Sequence, residues 1–273
     1  IYLLNNISDI RSDILMIELL KILNIDNDFP DGFNKEDFEK LIIDNLLKLG
    51  DRKKAYEIIK SLQIKKENKY ISFYNKFIIN YLLSSYNLSE GCSYRDQTKD
   101  LLNNQSNNFF LKIDIFCLVL KEKFDEANLL NSLLIDSNEK DIYFQTLFEK
   151  LQNNKIDINR DKSKIDEENI FLYSAMHRIG DLSLDSQFLE IDPINLSMPI
   201  ILSSSTEIEL RIKAAHYAYF NNIISNDSLA ALYQTVDFNY DQLNNPSDFL
   251  ATMGNNIEIG MSYFYQLINI QLL

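Results

Sequence analysis

Tryptophan is missing from this 273-residue chain, and glycine (six), proline (four), cysteine (two) and histidine (two) are sparse. Each shortage excludes something. Gly32, Gly50, Gly91, Gly180, Gly254 and Gly260 are too scattered for G-x-G-x-x-G, and none precedes Lys-Ser or Lys-Thr. The standard dinucleotide fingerprint and the P-loop are therefore absent. His177 and His216 form no H-E-x-x-H, and no G-x-S-x-G elbow accompanies them. They read as hydrogen-bonded structural residues. Cys92 and Cys117 stand 25 apart, with no metal or redox spacing. The expectation is a pair of small buried thiols; the alternative, a disulfide between neighbouring helices, would imply an oxidising compartment. No apolar run approaches 18 residues, so no spanning helix is expected. Basic residues are also short, at 27 against 40 acidic, for a net charge of −13. That disfavours nucleic acid, where affinity comes largely from neutralising phosphates, and anionic membrane surfaces. No cofactor and no metal are expected.

What the chain does have is apolar residues at helical spacing. Phe38, Leu41, Ile42, Leu46 and Leu49 make one stripe, and Ala55, Ile58, Ile59 and Leu62 make another. Between them Gly50 suits a left-handed helix end and Asp51 an N-cap. The pair reads as a helical hairpin, with Ala55 the small residue that lets its helices approach. Ala55, Gly91 and Ala127 follow one another at intervals of 36 residues. Such spacing predicts stacked hairpins, because one hairpin cannot bury its face alone.

Leu49-Gly50-Asp51-Arg52-Lys53-Lys54-Ala55 and Lys123-Phe124-Asp125-Glu126-Ala127 resemble the turn and second-helix start of the tetratricopeptide repeat. The departures are the missing tryptophan, the missing closing prolines, and Gly91 in place of alanine. A looser resemblance, carried by Phe116-Cys117-Leu118, Leu210-Arg211-Ile212-Lys213-Ala214-Ala215 and Leu229-Ala230-Ala231-Leu232-Tyr233, is to a group of uncharacterised alphaproteobacterial all-helical proteins. These resemblances imply an all-α, right-handed α-solenoid of stacked antiparallel helical hairpins, and a bacterial protein, with a lean towards the cell envelope or periplasm.

Taken in order, a first helix is expected over 7–23, then a break containing Pro30 and Gly32, and a helix start at Asn34. The hairpin region covers 1–152. A polar linker over 153–168 lacks any helical stripe and marks a boundary. A second helical region, 169–273, continues the solenoid. There Gly180 ends a helix, Pro193 and Pro199 each begin a helical turn, and Thr206-Glu207-Ile208-Glu209 reads as a capping box. Ser89 and Ser225 or Asn226 are expected as caps elsewhere. Both ends of the chain read as cut.

Carboxylates are abundant, but Glu207 and Glu209 are explained by a helix start, and no calcium-loop spacing occurs. The aromatic stripe Tyr70, Phe73, Tyr74, Phe77 and Tyr81 reads chiefly as core. Its tyrosines Tyr70, Tyr74 and Tyr81, with Tyr217 and His216, are the candidate partner-facing residues. The function expected is a non-enzymatic scaffold that binds a peptide or helix, basic for preference, on a concave acidic surface. The alternative is a helical module attached to a catalytic domain, such as a cell-envelope enzyme, outside this chain.

Overall fold

The computed structural model describes residues 34–62, 64–101, 108–137, 141–152, 165–254 and 256–271, together with Leu15, Glu18 and Lys21. The expected helix 7–23 otherwise lies outside the described residues, as do the break at 24–32 and residues 153–164 of the expected linker. Among the described residues the chain is all-helical, with fifteen α-helices and no strand. No described helix is long and apolar enough to cross a membrane. The chain divides into two compact units, Ile1–Glu139 and Lys140–Leu273.

The first unit is built from three helix pairs: α1 (Lys35–Lys48) with α2 (Arg52–Ser61), α3 (Ile71–Ser84) with α4 (Leu88–Thr98), and α5 (Asn108–Leu120) with α6 (Phe124–Asp136). Asn34 caps α1, its side chain accepting from the Glu36 N–H, and Asp51 caps α2 by accepting from Lys54 N–H. Gly50 has φ of +79°, with its own N–H donating to the Leu47 carbonyl and the Asp51 N–H to the Leu46 carbonyl. That is the Schellman arrangement, which satisfies two carbonyls that the helix end leaves open. The same turn recurs after α3 at Tyr86 (φ 65°) and after α5 at Glu122 (φ 57°), so the left-handed residues stand at 50, 86 and 122. Only the first is glycine. Five residues after each lies the small residue of the following helix: Ala55 and Ala127 are fully buried, and Gly91 sits with open contact distance to Leu82. Each pair also packs on the next: α2 touches α3, and α4 touches α5. Ile42, Leu46, Ile59, Tyr74, Ile78 and Leu82 form the core between the first two pairs.

One expected cap is displaced. Ser89 lies inside α4, whose N-cap is Asn87, because the turn closes on Tyr86 rather than two residues later.

The second unit runs through α7 (Ile142–Gln152), α8 (Ile170–Ile179), α9 (Ser186–Ile191), α10 (Pro193–Leu202), α11 (Ile208–Phe220), α12 (Asn226–Tyr233), α13 (Tyr240–Asn244), α14 (Pro246–Met253) and α15 (Ile257–Gln271). Helix α7, which falls within the hairpin region expected from sequence, packs on α8 and belongs to this unit. Leu151 leans so close to Gly180, the C-cap of α8, that a Cβ there would meet its Cδ2 at 2.9 Å. Helices α8 and α11 end in the same Schellman turn, with Asp181 (φ 50°) and Asn222 (φ 57°) left-handed.

Two sequence expectations fail here for tertiary reasons. Pro199 does not begin a turn: it sits inside α10, which Pro193 begins. It is buried there, and the packing of that helix outweighs the loss of one backbone donor. Thr206 does not cap α11, whose N-cap is Glu207 with no side-chain bond. Its hydroxyl instead accepts from the Leu184 N–H at 3.0 Å and donates to Ser203 Oγ at 2.9 Å. A buried N–H 22 residues away has a stronger claim on that oxygen than a solvated first turn. Ser225 does cap α12, accepting from Ser228 N–H.

Candidate functional site

Cys92 on α4 and Cys117 on α5 are joined by a disulfide, their Cα atoms 5.6 Å apart. The expectation of free thiols is therefore corrected. The two helices belong to different pairs, and stacking one pair on the next brings the sulfurs together. Linear spacing carries no sign of this, since 25 residues match no motif. The bond fastens the second helix pair to the third.

A cleft of about 290 Å³ opens beside this bond, between α4, α5 and α6. Cys117, Leu118, Leu129 and Leu130 give it an apolar wall. Its polar side is a chain of ion pairs. The Arg95 guanidinium donates to Asp114 through Nε at 3.0 Å and Nη2 at 2.9 Å, and lies over the Phe110 ring. This pair is nearly buried and bidentate, which fixes both side chains in one geometry. Lys99 reaches Asp96 at 3.0 Å and Asp114 at 3.5 Å. Lys121 holds the other oxygen of Asp96 at 3.2 Å, and Lys123 pairs with Glu126 at 2.7 Å. The hydrogen bond from Lys99 holds the Asp96 carboxyl below the usual carboxylate range despite partial burial, and Lys121 adds to this. Burial works against the Lys99 ammonium, but Asp96 and Asp114 outweigh it and raise its pKa. Both groups thus stay charged at neutral pH. At the edge of the cleft Leu129 is more than half exposed, and so is Leu133 one turn further along α6.

The five residues singled out from sequence fall in different settings. Tyr70, Tyr74 and Tyr81 are all in the first unit. Tyr70 is half-buried, and its hydroxyl donates to Asp37 at 2.6 Å. Tyr74 is fully buried, and its hydroxyl, lacking a partner among the described residues, is pushed up in pKa by burial. Tyr81 stacks on Tyr56 with ring centroids 4.2 Å apart. Through these contacts they tie α1, α2 and α3 together. His216 and Tyr217 lie on α11 in the second unit. Burial holds the His216 imidazole below its usual pKa, partly offset by Glu258, and Nε2 is 2.7 Å from the Tyr233 hydroxyl. Tyr217 is exposed at the surface.

Sequence reasoning missed the cleft. The one available signal was a charge four residues after each cysteine, Asp96 after Cys92 and Lys121 after Cys117, of opposite sign. Four residues is one helical turn, but which helices face each other is not written in that spacing. Compared with known proteins, the chain matches no protein-family model, no curated protein and no solved structure.

Proposed function

We propose that the chain is a non-enzymatic interaction scaffold, its hairpins stacking as a tetratricopeptide-like α-solenoid that holds a peptide or helix of another protein. The observation that carries this reading is the recurrence of one turn. Left-handed residues at 50, 86 and 122 are each followed, five residues on, by a small helix residue. Stacking identical units in this way produces long grooves lined by successive helices, a geometry suited to extended or helical ligands. The cleft beside Cys117 and the outward leucines of α6 supply such a groove with an apolar floor. The disulfide supports folding in an oxidising compartment, such as a cell envelope or periplasm. The net charge of −13 favours a basic partner for the surface at large.

The test is site-specific photo-crosslinking in the native host. A benzophenone amino acid is placed at Leu129, and at exposed Lys53 as a control. One discrete protein captured from Leu129 and not from Lys53 supports the reading. The same faint, unselective pattern from both positions sinks it.

A further inference from the structure

We infer that α15 is a self-association surface: two copies of the chain pair helix against helix, antiparallel, along the stripe Ile257, Met261, Phe264 and Ile268. This goes beyond the scaffold reading and does not rest on it. A surface helix ordinarily turns polar side chains to water. The outward face of α15 breaks that rule. Its exposed described side chains are Ile257, Met261, Phe264, Ile268 and Ile270, every one large and apolar. Polar groups instead serve the inward side. Gln266 Nε2 donates to the Tyr233 and Val236 carbonyls, 2.8 Å from each, and the fully buried Tyr263 donates its hydroxyl to the Gln242 carbonyl at 2.7 Å. These bonds fix the rotation of α15. The helix cannot roll to bury its stripe without leaving those carbonyls open.

Spacing and charge identify the occupant. Residues 257, 261, 264 and 268 run at intervals of four, three and four, the seam of a two-stranded coiled coil. The intervals read the same in both directions. A twofold axis through the middle of the helix therefore sets Ile257 against Ile268 of the second copy and Met261 against its Phe264. One patch that complements itself is what a twofold dimer requires. The chain is 25% charged, so a helix of this length would carry about four charges. Helix α15 carries only Glu258. Two copies that repel through a net charge of −13 can meet where almost no charge stands. A foreign protein of either sign finds little on α15 to orient it, and a helix lying on a membrane carries the lysines and arginines that α15 lacks. The antiparallel register keeps the two Glu258 carboxylates about 14 Å apart along the axis, beyond the screening length of about 8 Å at physiological salt. It also sets the helix dipoles head to tail, whereas a parallel pair would place both glutamates and both N-termini side by side. Three turns of seam bury less than a permanent dimer does, so the pairing forms and parts with concentration.

Sedimentation of the whole chain over a concentration series tests this. The mass should rise from 31.9 kDa towards twice that value. Association should tighten as salt rises, because salt screens the repulsion between acidic copies. Two variants test the register. I257D/I268D sets carboxylate against carboxylate at both ends of the seam and should weaken the dimer at least tenfold. I257D/I268K sets carboxylate against ammonium in the antiparallel pair alone, and should bind at least tenfold tighter than I257D/I268D. Ile257 and Ile268 are more than half exposed, so both variants should keep the parent circular dichroism spectrum. A single 31.9 kDa species at every concentration, a dimer indifferent to both variants, or equal loss in both would each overturn the inference. The crosslinking experiment at Leu129, in the other unit, decides the scaffold reading separately.

Discussion

Two residues in the first unit show how far backbone geometry decides what a position tolerates. Gly91 sits within α4 with ordinary helical φ, and an added Cβ would meet only Leu82 Cβ at 3.5 Å. Glycine there costs the unfolded chain's extra freedom and gains nothing. Gly91→Ala should raise stability by about 0.5–1 kcal/mol. Glu122 is the reverse case: an exposed residue with φ of 57° at a helix end, where glycine is the natural occupant. Glu122→Gly relieves left-handed strain of roughly 1–2 kcal/mol, less the entropy glycine forfeits on folding. A net gain of about 0.5–1 kcal/mol is expected. Urea midpoints for both variants check the pair, and a loss in either contradicts the backbone argument. At His216 the matter is protonation. Its folded pKa is depressed below the ordinary value of about 6.5, so the unfolded state takes up the proton first. Stability should be unaffected above about pH 7 and fall as pH drops below about 6.5, levelling off beneath the folded pKa. His216→Gln should flatten that slope between about pH 7 and 5.5 in thermal unfolding, the range in which histidine charges.

Helices and their junctions are the next scale. Thr206 links the segment before α9 to the segment before α11 by giving Leu184 N–H its acceptor. Thr206→Val keeps the shape and removes the oxygen, leaving a buried donor open at about 1–3 kcal/mol. Thr206→Ser should recover most of that in the same urea titration; equal stability of all three proteins would return Thr206 to the role of a weak surface cap. The junction between α4 and α5 is covalent. Closing a loop of 25 residues, the Cys92–Cys117 bond should contribute about 3.5 kcal/mol by the chain-entropy argument. Reduction should speed amide exchange in α4, α5 and α6 and leave α8 to α11 unchanged. Hydrogen-exchange mass spectrometry with and without dithiothreitol reads this directly, and uniform acceleration across both units would show that the bond acts on more than its own unit.

At the scale of the whole molecule, the residues divide into those whose position follows from their neighbours in the chain and those whose role follows from distant ones. The aromatic stripe at three- and four-residue spacing, Tyr70 to Tyr81, marks α3 at Ile71–Ser84, and Gly180 marks the end of α8. The Gly50 turn and the Asp51 cap were equally legible, since their hydrogen bonds close within five residues. Such features depend on local sterics and local donors, which a linear string contains. The turns at Tyr86 and Glu122 were half visible: the 36-residue rhythm showed in Ala55, Gly91 and Ala127, but the left-handed residues there are not glycine. The Cys92–Cys117 bond, the Leu184 acceptor of Thr206, the burial of Pro199 and the balanced charges of the cleft were not visible. Each joins groups that only packing brings together, at separations of 19 to 25 residues for Arg95–Asp114 and Asp96–Lys121 and the disulfide or in the lining of a buried helix face. By itself, then, the sequence determined an all-helical chain, its hairpin rhythm and its net acidity, because helix formation is short-range and charge is additive. Which faces meet, and hence where a cleft walled by ion pairs opens in the first unit, was decided by tertiary packing, because burial rewards contacts irrespective of their distance along the chain.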